Sequence, residues 1–239
     1  IAECANPALT SASLVGWSAV QAIAAVTDAH IVTEARNRDD FLRAGLVEGR
    51  DFTAIDTRRS QGLAWRATKL LSRKNAFSWS LYAIFSNLAY PFFERALWKH
   101  FKSRLKAGEF DLVHRILPLS PTTPSPLAAQ LKRIGIPLVL GPLNGGVPWP
   151  KGFDDVRRQE KDPAGRLRRL YPLLPGLRRT RRHAAALIAA SRTTLRELPA
   201  HLRAKTVFLP ENPIDPARFP LAPRPPRAPS PLRAAFVGR

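Results

Sequence analysis

Short apolar runs alternate along this chain with stretches whose apolar residues recur every three or four positions. His30-Ile-Val-Thr33, Asp51-Phe-Thr-Ala-Ile55, Asp111-Leu-Val-His-Arg-Ile116, Pro137-Leu-Val-Leu140 and Lys205-Thr-Val-Phe-Leu209 are too short for helices and rich in β-branched or bulky side chains. Each predicts a strand, and Ile1-Ala2-Glu3 reads as the remnant of one more. Between them, helices are predicted through Val20, Ile23 and Ala24, over Asp39 to Leu46, and after Pro126, where Leu127, Ala128, Leu131 and Ile134 share a face. Ser125 is the expected N-cap of that last helix and Gly135 its stop. Ser191, after the apolar stretch His183–Ala190, is a further N-cap, for a helix ending before Pro199. Apolar strands reached through short helices predict a parallel sheet covered on both faces.

Residues 60–107 lack strand signals and read as a helical insertion. Leu81, Phe85, Leu88 and Phe92 form one stripe, and Leu97, Phe101 and Leu105 form another after Pro91. Trp65, Trp79 and Trp98, with Arg66, Lys69, Arg73, Lys74, Lys99 and Lys102, suggest amphipathic helices with basic flanks. Such helices serve either as core or at a membrane interface. From Pro210 to residue 232 proline dominates, which predicts a stiff, extended linker. The expected organisation is an α/β domain over 1–209, a linker over 210–232, and the opening strand of a second domain over 233–239.

Charge sharpens the picture. Lys and Arg number 38 against 18 Asp and Glu, a formal net charge of +20, which predicts attraction to phosphates, nucleic acid or an acidic lipid surface. Residues 157–182 concentrate Arg among Leu and Tyr, either as a membrane-facing run or as a solvated helix face. Cys4 is the single cysteine, so no disulfide framework or Cys-based metal site is expected, and a reducing cytoplasm is the natural compartment, with peripheral attachment to the cell membrane as an extension. No run is apolar and long enough to span a bilayer. With no Met anywhere and an apolar run at its very end, the chain reads as a fragment cut at both ends.

The catalytic motifs of serine hydrolases, zinc proteases and P-loop NTPases are missing, as is the dinucleotide glycine fingerprint. The loop Gly141-Pro-Leu-Asn-Gly-Gly146 follows a buried strand, and ligands of open α/β sheets bind at that edge. His114 stands at the end of the preceding strand. As a lone histidine it is read equally as a structural residue.

HRILPLSPTTPSPLA followed by GPLNGGVPWP resembles the amino-terminal domain of glycosyltransferase family 4, whose members pair two facing Rossmann-like domains in the GT-B architecture. Ala186-Leu-Ile-Ala-Ala-Ser191, Val207-Phe-Leu-Pro-Glu-Asn-Pro-Ile-Asp215 and Phe236-Val-Gly-Arg239 are similar to that family's interdomain region and second-domain opening. The resemblance implies a Rossmann-like sheet and retaining transfer from a nucleotide-sugar to a polysaccharide or glycolipid acceptor. It implies no cofactor, no metal requirement and no specific nucleic-acid partner. Gly16, Asn144, Gly145 and Gly146 correspond to loops facing the cleft, and His114 to the first histidine of a His-x-His pattern whose second position here is Ile116. Glu211 and Asn212 correspond to the interdomain hinge, and Arg239 to a donor-diphosphate ligand. The competing reading is a non-enzymatic basic module that binds anionic membrane or nucleic acid.

Overall fold

The computed structural model describes residues 1–57, 79–145 and 175–211, with isolated positions at 62, 66, 152, 153, 155 and 220. In residues 79–88 it describes the helical backbone path. The strands are β1 (Ile31–Glu34), β2 (Phe52–Ile55), β3 (Val113–Arg115), β4 (Leu138–Leu143), β5 (Ala186–Ala189) and β6 (Thr206–Phe208). The helices are α1 (Ala12–Ala24), α2 (Arg38–Arg43), α3 (Trp79–Lys106), α4 (Leu127–Arg133), α5 (Pro175–His183), α6 (Arg192–Glu197) and α7 (Ala200–Arg203).

β1 and β2 form one parallel ladder, and β3-β4-β5-β6 form another. The first residues stitch the two together. Ala2 donates its N–H to the Val32 carbonyl at 2.8 Å and Glu34 donates to Glu3 at 3.1 Å. On the other side Ile116 donates to the Ile1 carbonyl at 2.9 Å, the Ile1 nitrogen donates to the His114 carbonyl at 2.5 Å, and Ala2 bridges Leu117 in parallel. The spatial sequence is therefore β2, β1, Ile1–Glu3, β3, β4, β5, β6. Chain order reverses between Ile1–Glu3 and β3.

Both faces of the sheet are covered, as the apolar strands require. Alternate side chains of β1 enter opposite cores: Val32 joins Phe93, Leu97, Phe101, Leu127, Leu131, Leu140 and Leu187, whereas Ile31 joins Val20, Phe41, Phe52 and Leu117. α3 and α4 line the first core, and α1 and α2 the second. This is a Rossmann-like α/β fold.

Two local expectations are corrected. α3 runs unbroken through Pro91, so the two stripes belong to one helix, and Phe92 is not part of the buried side. A proline inside a helix removes a backbone hydrogen bond at a cost of about 3 kcal/mol, which the burial of Tyr90, Phe93, Leu97, Phe101 and Leu105 offsets. The stripe is therefore carried by Phe93, while Phe92, one residue round the helix, stays 51% exposed. Ser125 does not cap α4 with its side chain. Its hydroxyl donates to both carboxylate oxygens of Glu94, and Glu94 itself accepts the N–H of Leu127. The Ser191 cap forms as expected, accepting from Thr194 N–H at 3.1 Å. The second-domain strand, residues 212–232 of the linker apart from Pro220, most of the basic run and, within the insertion, residues 60, 61, 63–65 and 67–78 lie outside the described residues.

Candidate functional site

In an open parallel sheet, loops on either side of the order reversal diverge and leave a crevice at the carboxyl edge. Here that edge lies between the loop after Ile1–Glu3 and the loop after β3. The first loop leads into α1 through Ser11, whose φ of 60° is in the left-handed region and whose side chain makes no capping bond. Asn6 organises the loop from inside: its Oδ1 accepts Ala8 N–H at 2.8 Å, and its amide donates to Asn37 and Asp40.

Gly16 is within α1 rather than in the cleft loop where the sequence suggested it. A Cβ there would meet Leu117 Cδ1 at 2.2 Å. Its bare backbone lets α1 close onto the segment leaving β3, which brings the two walls of the crevice together.

The second loop, Ile116–Ser125, is pinned by donors from four other elements or positions. Tyr90 Oη donates to the Leu117 carbonyl, Asn144 N–H to Leu119, Arg181 to Pro121 and Arg115 to Thr123, at 3.3, 2.8, 2.8 and 3.0 Å. Arg115 is 2% exposed, lies over the Tyr90 ring at 5.8 Å and leaves its Nε without a partner among the described residues. Arg181 is likewise tucked inward, and burial lowers its pKa. A loop held this firmly presents fixed backbone groups to whatever enters the crevice.

A buried polar cluster, which sequence reasoning missed, closes the neighbouring strand ends. Glu3, Glu34 and Asn37 are all buried. Glu34 accepts Arg36 N–H at 2.8 Å and both the N–H and hydroxyl of Thr57 at 3.3 Å. Arg36 donates to Glu3 Oε1 at 2.6 Å, and Asn37 donates to the Glu3 carbonyl and to Thr33. Burial pushes the Glu3 pKa up despite Arg36.

At the far side of the crevice stand the residues that the motifs singled out. His114 Nε2 donates to the Gly141 carbonyl at 2.7 Å, and burial lowers the ring's pKa to about 4. It is thus neutral at ordinary pH, with Nδ1 as its acceptor nitrogen. Gly141 has a φ of +135°, and a Cβ would stand 2.4 Å from the Ile188 carbonyl oxygen, so only glycine fits. Beyond it, Asn144 accepts Gly145 N–H on Oδ1 at 2.8 Å and donates through Nδ2 to Glu211 Oε1. That contact reaches from the end of β4 across β5 to the segment after β6. Glu211 Oε2 is buried and unpartnered among the described residues. Gly145 has a φ of +115° and faces Pro121. Gly146, Asn212 and Arg239 lie outside the described residues.

Among the described residues no group of three or more His, Cys, Asp or Glu side chains is arranged to hold a metal ion. Cys4 is free, and burial pushes its thiol up to about 12, which leaves it unreactive. The described residues thus bring fixed backbone groups, the Asn144 amide and the Glu211 carboxylate to the carboxyl edge of the sheet. Comparison with family models, with curated proteins and with solved structures finds no match.

Proposed function

We propose that this chain is the acceptor side of a retaining glycosyltransferase that uses a nucleotide-sugar donor. The observation that carries the reading is the Asn144–Glu211 contact. It joins the two elements that the resemblance assigned independently, one to the cleft and one to the hinge. The strand-order reversal with its pinned loop supplies a crevice beside them.

Sugar transfer needs two substrates held in line and a departing diphosphate stabilised by cations. In this reading a glycan or lipid-linked acceptor enters between the Cys4–Ser11 loop and the Ile116–Ser125 loop, with Asn144 and Gly145 along one wall. Gly16 sets the spacing of the walls through Leu117. The donor sits on a second domain reached through residues 210–232, and Arg239 takes the diphosphate with paired N–H donors. No metal is required. Glu211 and Asn212 form the hinge, and Asn144 ties that hinge to the acceptor wall. His114, committed to the Gly141 carbonyl, holds the strand ends in register rather than attacking or protonating the sugar.

The test is steady-state transfer from a panel of nucleotide-sugars by the chain carrying its downstream second domain. Arg239→Ala is expected to lower kcat more than it weakens acceptor binding. Asn144→Ala is expected to raise the acceptor KM, and His114→Ala to have the smallest effect. Absence of transfer from every donor, or full activity of the chain without the second domain, overturns the reading.

A further inference from the structure

We infer that the outward face of α3 is a docking surface for a membrane of anionic phospholipid. Past Pro91 that face carries Phe92, Arg95, Lys99, Lys102 and Lys106, all exposed. Steps of three and four residues place them in a single stripe along the helix. From Phe92 to Lys106 the stripe spans about 21 Å at 1.5 Å per residue.

The helix cannot turn this face away. Phe93, Leu97, Phe101 and Leu105 lock the opposite side into the core, each 4% exposed or less. Among the described acidic residues near the row, Asp56 lies beside Lys99 and sets one negative charge against the four cations. Glu94 points inward and is 1% exposed, and Glu109, beyond the helix end, pairs with Arg104 at 2.6 Å. The Arg95 guanidinium lies 5.5 Å from the Phe92 ring centroid, so a cation and an apolar ring are presented together. Beside the stripe is a shallow depression of about 490 Å³, lined by Ala54, Ile55, Asp56, Ala96, Lys99 and His100.

The arrangement fits a bilayer surface. A straight row of side-chain cations meets a flat, laterally continuous sheet of negative headgroups, and an aromatic ring at one end reaches the acyl boundary. A single-stranded nucleic acid is recognised instead by aromatic rings interleaved with the cations along a groove. On this face the ring stands at one end of the row. The net charge of +20 adds longer-range attraction to the same surface. The inference stands on α3 and does not rest on the sugar-transfer reading.

Sedimentation of the full chain with vesicles tests it. Vesicles of phosphatidylcholine mixed with phosphatidylserine are expected to bind the chain in a salt-sensitive manner, and phosphatidylcholine alone is not. At about five-fold per basic residue, the triple variant Lys99→Gln, Lys102→Gln, Lys106→Gln should bind roughly a hundred-fold more weakly. The same three positions changed to Arg should retain binding. Phe92→Ser should weaken binding without altering its salt dependence. Arg178→Gln, Arg179→Gln and Arg182→Gln, on the exposed side of α5, should change it far less. Equal loss in the α5 triple, equal binding to neutral vesicles, or duplex DNA binding that depends on the same three lysines overturns the inference.

Discussion

The carboxylate of Glu94, in the middle of α3, caps a different helix: its Oε2 accepts the backbone N–H of Leu127, the first residue of α4, at 3.0 Å. Helix N-termini leave N–H groups that need acceptors, and a buried one needs them most. Ser125 adds two bonds from its hydroxyl to the same carboxylate, at 2.7 and 2.9 Å. One side chain thereby fixes the angle between α3 and α4 and the exit of the loop that forms a crevice wall.

Glu94→Ala should therefore destabilise the domain by about 1–3 kcal/mol, because it leaves the Ser125 hydroxyl and the Leu127 N–H buried without their acceptor. Glu94→Gln keeps an acceptor and should cost less. Burial raises the Glu94 pKa above its ordinary value, ahead of the opposing influence of Arg115. The folded state thus holds the proton more tightly than the unfolded chain. The wild type's advantage over Glu94→Gln should be full below the ordinary value of about 4.3 and shrink as pH rises through the folded value. Urea midpoints of the two proteins, compared at mildly acidic and neutral pH, check the sign.

Gly16→Ala should lower stability although alanine is the better helix former. The propensity gain is about 1 kcal/mol. The new methyl would stand 2.2 Å from Cδ1 of Leu117, itself fully buried, and overpacking of that kind costs about 1–3 kcal/mol. Adding Leu117→Ala to Gly16→Ala should relieve the clash, so the double variant should lose less than the sum of the single losses. Thermal melts of the three variants against wild type measure this, and strict additivity would refute the contact.

His114 should remain neutral across the physiological range. Burial leaves the ring to protonate near 4 instead of near 6.5, against the opposing pull of its bond to the Gly141 carbonyl. Titration of its ring resonances by NMR checks this, and a midpoint close to the ordinary value would show that solvent reaches the ring.

Much of the architecture is legible residue by residue. Apolar runs such as Ile31–Val32 and Leu138–Leu140 announce strands because both faces of a central parallel strand are buried, so no polar alternation interrupts them. The Ser191 cap is equally plain, since donor and acceptor are three residues apart and need nothing else.

What the sequence left open depends on partners far along the chain. Ser125 has a capping residue's identity, yet Glu94, 31 positions away, takes the task because α3 brings a buried carboxylate within reach. Phe92 and Phe93 are indistinguishable by composition, and only the side on which α3 meets the sheet decides which is core. Glu3 and Glu34 look like ordinary surface carboxylates until strand pairing seals them behind Arg36, Asn37 and Thr57. Asn144 and Glu211, 67 positions apart, meet because β4, β5 and β6 end at one edge. Short-range preference sets where helices and strands form. The closing of the sheet sets which polar groups lose water, and those are the groups that must find each other.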